Sequence, residues 1–212
     1  MRPFRFALAL LFLGLLLLQS VQGQQARQRS KNLGFAALTG NSALHKELNL
    51  SSEQQATLQK ASTDARQAIQ AAQNLEDKAR LQKNRQANQN LREVISKTCN
   101  QEQQQRLFQI EIQWSTGSWM LLRSELASTL NLSPEQIRQI RSLSQKSQEK
   151  VRQLRKSRND QNRQEVQDKI NSLLAETRTN ALQLLDCAQQ LAWKMAQGKT
   201  FELPPRKKAK KP

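Results

Sequence analysis

The chain of 212 residues contains no tyrosine, and aromatic residues make up only 4% of it. A hydrophobic core built from this composition must be lean. Glutamine is abundant instead, with 32 copies, and together with alanine, leucine, arginine and lysine it favours helices over strands. We therefore predict an all-α protein.

Histidine is nearly absent, since His45 is the single copy in the sequence. Metal sites and Ser-His or Cys-His catalysis are therefore poorly supported. The acidic residues Glu125, Glu165 and Asp168 are better explained as surface partners of nearby arginine and lysine. We predict a protein that is not an enzyme and that uses no metal or other cofactor.

The N-terminus has the layout of a secretory signal peptide. Arg2 and Arg5 precede a thirteen-residue apolar run at 6–18, and small residues follow up to Gly23. The run is short for a membrane span, so an uncleaved anchor is the weaker alternative. We predict a signal peptide at 1–23, a polar linker at 24–32, and a periplasmic or secreted mature protein.

Export changes the expectation for the two cysteines. In an oxidising compartment an even number of cysteines favours a disulfide, so we predict a bridge between Cys99 and Cys187. Two free buried thiols are the alternative.

One phrase, LNLSPEQIRQI from Leu130, reads as a strong helix start. Ser133 fits an N-cap, Pro134 the first helical position, and Gln136 the third, which together predict a capping box. Leu132 before the cap can pack on Ile137 as a hydrophobic staple.

The same phrase begins 82 residues earlier, at Leu48, as LNLSSEQQATL. Ser51 and Gln54 match the cap and the third position, but Gln55 replaces the stapling isoleucine, so we expect a weaker clamp. A third copy places Asn100 at the cap and Gln103 at the third position.

A fourth, degenerate copy, LDCAQQLAWKM, begins at Leu185. The expected register puts Ala188 at the cap and Leu191 where glutamine is expected. In this register Cys99 and Cys187 both directly precede a cap, which favours their pairing.

The order of the copies predicts a tandem duplication with halves at 33–114 and 117–203. In each half two amphipathic helices joined by a short turn should form an antiparallel hairpin, with coiled-coil-like spacing of apolar residues. The predicted stripes are Leu58, Ala61, Ala65, Ala68, Ala72 and Leu75 with Ala87, Leu91, Val94 and Ile95, then Ile137, Ile140, Ser144, Ser147, Val151 and Leu154 with Val166, Ile170, Leu173, Thr177, Ala181 and Leu184.

Large apolar residues flank the break between the halves and the last repeat. They either fill the junction between the halves or form an exposed patch for partners. These residues are Trp114, Trp119, Met120 and Trp193.

The formal net charge is +17 at pH 7, and it falls to +15 without the signal peptide. Between Arg138 and Arg163 the second hairpin holds nine basic residues against two acids, Glu149 and Asp160. This excess would attract acidic proteins, anionic lipids or nucleic acid, with a charged solvated face as the alternative. The nine residues are Arg138, Arg141, Lys146, Lys150, Arg152, Arg155, Lys156, Arg158 and Arg163.

The C-terminal segment PPRKKAKKP, residues 204–212, lacks apolar periodicity and is predicted to be a disordered basic tail. It is typical of a nuclear-localisation or nucleic-acid patch, but the signal peptide argues against the nucleus. Contact with an anionic envelope surface and a solubilising role are both open.

The phrases resemble the LTXXQ motif of bacterial periplasmic proteins of the Spy and CpxP type, with serine in place of threonine. The resemblance implies a cradle of long antiparallel helices, often dimeric, with a basic concave face and ATP-independent chaperone or envelope-stress activity. The matching residues are Leu50, Ser51 and Gln54, then Leu132, Ser133 and Gln136, and more loosely Cys99, Asn100 and Gln103.

We therefore expect an exported helical binding protein that holds unfolded or acidic clients on a basic, glutamine-rich surface. One alternative is a binder of polyanions, including nucleic acid or the anionic envelope surface. Another is a structural or sensor component of the envelope with one specific partner. A homodimer is compatible with each of them.

Overall fold

A computed structural model describes residues 34–203 of the chain. Within that range it contains nine α-helices and no strand, so the all-α prediction is confirmed. The predicted signal peptide, polar linker and basic tail lie outside the described residues. The helices are α1 (Phe35–Thr39), α2 (Ser42–Glu47), α3 (Ser52–Ala71), α4 (Asp77–Thr98), α5 (Gln101–Trp114), α6 (Ser124–Thr129), α7 (Pro134–Lys156), α8 (Arg163–Leu182) and α9 (Cys187–Ala196).

Helices α3 and α4 pack against each other, and so do α7 and α8. The buried face of α3 consists of Leu58, Ser62 and Ala65, and that of α4 includes Leu91. The small side chain of Ser62 allows the backbone at Gly40 to pack closely against α3. A Cβ atom on Gly40 would lie only 3.0 Å from the Cβ atom of Ser62. Because Leu75 is 41% exposed, the predicted α3 stripe does not extend to the end of the hairpin.

The buried stripe of α7 mixes apolar and hydroxyl side chains. The hydroxyl groups of Ser144 and buried Ser118 share a hydrogen bond of 2.7 Å. Val151, at the far end, packs with Val166 and Ile170 of α8 in a small cluster of its own. The far end of this hairpin therefore has a thin core.

Helix α5 contributes to two hydrophobic clusters. Ile110 belongs to the cluster around α1 to α4, whereas Ile112 belongs to the cluster around α6 to α9. Phe201, from the end of the chain, joins the first cluster beside Trp114, with ring centroids 6.2 Å apart. The two predicted halves thus share a helix, and the second half contributes its last aromatic ring to the first core.

Trp114, Met120 and Trp193 are buried, whereas Trp119 is 44% exposed. Near Trp193 the guanidinium of Arg178 stacks over the indole ring and donates to the carbonyls of Ile112 and Ser115. Burial lowers the pKa of Arg178. Most of the large apolar residues near the break therefore fill the junction.

A buried carboxylate, Glu111, also ties this junction together. Arg92 from α4 donates to both of its oxygens, at 2.5 and 3.2 Å, and Arg123 donates to one at 2.7 Å. Both guanidinium groups also stack on aromatic rings, Arg92 on Phe35 and Arg123 on Phe108. The network joins α4, α5 and the start of α6.

Candidate functional site

The repeated phrase ends one helix and begins the next. Asn49 and Asn131, its second residue in two copies, have φ values of 50° and 47°, in the left-handed region that asparagine tolerates. The N–H of Leu50 donates to the carbonyl of His45, and that of Leu132 to the carbonyl of Ala127, both at 3.1 Å. This is a Schellman motif, which terminates α2 and α6.

Four helices begin with the same pair of capping bonds. The cap side chain accepts from the N–H three residues later, and the glutamine at that position accepts from the N–H of the cap residue. The pairs are Ser51 with Gln54, Asn100 with Gln103, Ser133 with Gln136, and Asp186 with Gln189.

The capping glutamines also bind one another across the fold. In the first half Gln54 and Gln103 exchange amide hydrogen bonds of 3.0 and 3.2 Å. In the second half Gln136 and Gln189 do the same at 2.6 and 3.0 Å. Each phrase is therefore hydrogen-bonded to a second phrase, so the four copies form two pairs.

The position after each of these glutamines provides a further clamp. Gln55 donates to the carbonyl of Leu50 at 2.8 Å, and Gln104 donates to that of Cys99 at 2.7 Å. In the helix from Ser133 this position is Ile137, which packs in the second cluster. The expected loss of the clamp at Gln55 is thus offset by a hydrogen bond.

The expected register of the fourth copy is wrong by two residues. Asp186 rather than Ala188 is the cap, and Gln189 occupies the position that was assigned to Leu191. Leu185 precedes this cap and is buried, so Leu185 is the counterpart of Cys99. A search for serine or threonine at the cap could not find this copy, but aspartate is an equally good N-cap.

The predicted disulfide is also wrong, because Cys99 and Cys187 are both free thiols. Cys99 precedes a cap and is buried in the first cluster, whereas Cys187 is the first residue of α9 and is exposed. The two cysteines are not at equivalent positions, so the pseudo-symmetry expected to bring them together does not apply.

We predict that a thiol reagent labels Cys187 quickly and Cys99 only when the protein unfolds. Burial shields Cys99 and raises the pKa of its thiol, which lowers the fraction of reactive thiolate. Intact mass measured over time should show one fast addition, and a second only in denaturant. Two additions at equal rates in native buffer would contradict the burial of Cys99.

All nine basic residues between Arg138 and Arg163 are exposed. Arg138 pairs with Glu135, and Arg152 pairs with Glu149 at 2.8 Å. Within residues 34–203, the other seven form no ion pair. They are Arg141, Lys146, Lys150, Arg155, Lys156, Arg158 and Arg163. This excess of unpaired cations is available to an anionic partner.

The basic surface extends towards the first hairpin. Partial desolvation lowers the pKa of Arg155, and the positive charges of Arg80 and Arg158 lower it further, while Asp77 opposes the change. Arg80 and Asp77 lie in the first turn of α4 and pair with each other. Sequence reasoning missed Arg80 because it belongs to the other half.

Two grooves open on the second half. One, of about 450 Å³, lies between α7 and α8 and is lined by Lys150, Gln153, Leu154, Ser157 and Leu173. The other, of about 650 Å³, lies at the paired phrases and is lined by Thr129, Leu130, Asn131, Ser133, Gln136, Asp186, Ala188, Gln189 and Ala192. The first groove combines a cation with two leucines.

The candidate acids have local partners. Glu125 accepts from Arg123 at 3.0 Å, and this bond holds the pKa of its carboxyl below the usual value. Lys169 pairs with Glu165 at 2.6 Å, and Gln164 donates to Asp168 at 3.0 Å.

Within residues 34–203, no cluster of three or more histidine, cysteine or acidic residues is arranged to hold a metal ion. None of the helices in this range combines the length and apolar character of a membrane span.

Comparisons with protein families, with curated proteins and with solved structures found no match to this chain. The resemblance to the LTXXQ family therefore depends on the motif residues themselves.

Proposed function

We propose that this is an exported, non-enzymatic helical binding protein that captures unfolded or acidic client proteins on the surface of α7. The observation that carries the proposal is the set of seven exposed basic residues that form no ion pair within residues 34–203. Five of them lie on α7, namely Arg141, Lys146, Lys150, Arg155 and Lys156, and Arg158 and Arg163 follow between α7 and α8 and at the start of α8. Similarity of the phrases to the LTXXQ motif gives separate support for chaperone work in the periplasm.

Encounter with the client would be electrostatic. A cluster of like charges raises the local concentration of oppositely charged partners over a distance of about 10 Å at 0.1 M salt. Higher salt should therefore weaken capture.

Retention would use small apolar contacts. Lys150 lies at the rim of the groove between α7 and α8, and Leu154 and Leu173 lie on its lining. Both leucines are only partly buried. An exposed apolar side chain of a client can be covered there, while a neighbouring acid contacts the lysine.

The test compares two variants with the same change in net charge. The first replaces Lys146, Lys150, Arg155 and Lys156 of α7 with glutamine. The control replaces Lys60, Lys83, Arg85 and Lys97, exposed cations of the first hairpin, in the same way.

We expect the wild-type protein at stoichiometric amounts and low salt to suppress aggregation of an acidic protein whose disulfides are being reduced. The α7 variant should need about ten times more protein for the same effect, and the control variant little more than the wild type. Light scattering gives the readout. Equal losses in both variants would reduce the effect to bulk charge, and no suppression by the wild type would reject the client-binding proposal.

A second candidate, binding of a polyanion, is favoured by one specific observation. Arg80 of the first hairpin and Arg158 both lie close enough to Arg155 for their charges to lower its pKa, so guanidinium groups of both hairpins surround Arg155. Arginine is well suited to phosphate. A mobility shift of DNA, or binding to anionic vesicles, with an affinity that falls steeply with salt would favour this candidate over client capture.

A further inference from the structure

Helix α9 presents an apolar face to solvent. Met195 is 72% exposed and Leu191 is 60% exposed, the two highest values among the large apolar side chains of residues 34–203. Cys187, also exposed, lies one turn before Leu191. Since the three residues are four positions apart, they form one stripe along the helix.

The architecture does not require this stripe. Helix α5 begins with the same capping arrangement as α9, so residues at the same distance from Asn100 and Asp186 are equivalent. The equivalents of Cys187, Leu191 and Met195 are three glutamines, Gln101, Gln105 and Gln109. The capping arrangement that α9 shares with α5 therefore does not require an apolar face.

A groove adjoins the stripe. The cavity of about 650 Å³ at the paired phrases is lined by Ala188 and Ala192 of α9 and by Leu130. Protruding leucine and methionine side chains thus stand beside a recess whose lining combines these three apolar residues with six polar ones, among them Asp186. A face that carries both a protrusion and a recess can match itself across a two-fold axis, which is the requirement of an isologous interface.

The low charge of α9 makes this face better suited than α7 to contact a second copy of the chain. The protein has a formal net charge of +17, and α7 would repel another copy. Helix α9 carries a single charged side chain, Lys194, the fewest of any described helix with ten or more residues. An acidic client would be drawn to α7, whereas a like-charged copy can approach α9.

The remaining segments of the chain are poor candidates to cover the stripe. Residues 204–212 are lysine, arginine and proline with one alanine, and residues 24–32 are almost entirely polar. The apolar run at 6–18 belongs to the predicted signal peptide.

We propose that α9 binds α9 of a second copy of this chain, antiparallel about a two-fold axis close to Leu191, with Leu191 and Met195 of each copy entering the groove of the other. Two large side chains from each copy bury little area compared with the roughly 800 Å² per partner of a standard interface. The dimer is therefore weak, with a dissociation constant between about 1 μM and 1 mM.

The test is sedimentation equilibrium with reductant present. The sample is the protein purified in the processed form that its host produces. The double substitution Leu191→Gln with Met195→Gln restores the residue type of α5 and is expected to weaken association at least tenfold. Leu81→Gln on α4, where Leu81 is 53% exposed, is the control and should leave association unchanged. Circular dichroism checks that the variants are folded.

Salt distinguishes this proposal from client capture. Higher salt should strengthen the dimer, because it screens the repulsion between copies, whereas it should weaken binding to α7. Either prediction can fail without the other.

Cys187 provides a second readout. Four residues separate it from the proposed axis, so two copies place their Cys187 residues about 12 Å apart along the helices. A bis-maleimide of about 15 Å should therefore link wild-type copies, and link the double variant far less. A monomer at about 1 mM, or a dimer that survives the double substitution, would overturn the proposal.

Discussion

Replacing Glu111 with glutamine is expected to lower the free energy of unfolding by about 2–3 kcal/mol. The substitution keeps the shape of the side chain and removes its charge. Arg92 and Arg123 then keep their positive charges without the carboxylate that both contact. The amide group of glutamine would also bring a donor against a guanidinium, which has no acceptor.

The expected size depends on the exposure of the three side chains. Glu111 is 8% exposed, but Arg92 is 39% and Arg123 is 20% exposed. Water therefore solvates the arginines in part, so the loss should be below the 3–5 kcal/mol typical of a fully buried pair. Stacking on Phe35 and Phe108 remains in the variant and limits the loss further.

Urea unfolding followed by circular dichroism gives the measurement, and Glu125→Gln is the matched control. Glu125 pairs with the same Arg123, but its side chain is 58% exposed, so this substitution should cost less than about 0.5 kcal/mol. Similar losses in the two variants would mean that the Glu111 contacts add nothing to an ordinary surface pair.

The parts of the fold that could be read from the sequence are those fixed by neighbours along the chain. A capping box links residues three positions apart, so Ser51, Asn100 and Ser133 could be recognised from the residues around them. The spacing of buried residues on α7 and α8 is likewise a local property of a helix.

Contacts between distant residues could not be read in this way. Gln54 meets Gln103 and Gln136 meets Gln189 only because separate helix starts face each other. Gln54, Gln103 and Gln136 could be recognised as capping residues, but nothing in the sequence predicts that the capping glutamines bind one another. Glu111 gave no signal either, because its partners lie on α4 and before α6.

The two incorrect predictions reinforced each other. Export and an even number of cysteines favoured the disulfide, and the register of the fourth phrase, shifted by two residues, then placed Cys99 and Cys187 at equivalent positions. The side chains decide against it, because Asp186 can cap α9 and Ala188 cannot. Testing each candidate cap for an acceptor would have placed Gln189 correctly and left Cys187 on the surface.

The paired phrases should contribute more to the free energy of unfolding than their separate capping boxes do. Gln189→Ala removes the bond to the N–H of Asp186, the 3.3 Å bond to the carbonyl of Asn131, and the exchange with Gln136. Gln189 is 8% exposed, so its loss also removes one buried partner of Gln136, which keeps its bond to the carbonyl of Leu184 at 2.8 Å. We expect a loss of about 2–3 kcal/mol.

A double-mutant cycle separates pairing from capping. If Gln136 and Gln189 act as a unit, the double alanine variant should cost about 1 kcal/mol less than the two single variants together, because the shared bonds are lost only once. Gln139→Ala is the control, because Gln139 is exposed and lies one helical turn after Gln136 on α7. This substitution should change stability by less than about 0.5 kcal/mol. If the changes in unfolding free energy from urea unfolding are strictly additive, each phrase only caps its own helix. The pairing of the phrases would then have another cause.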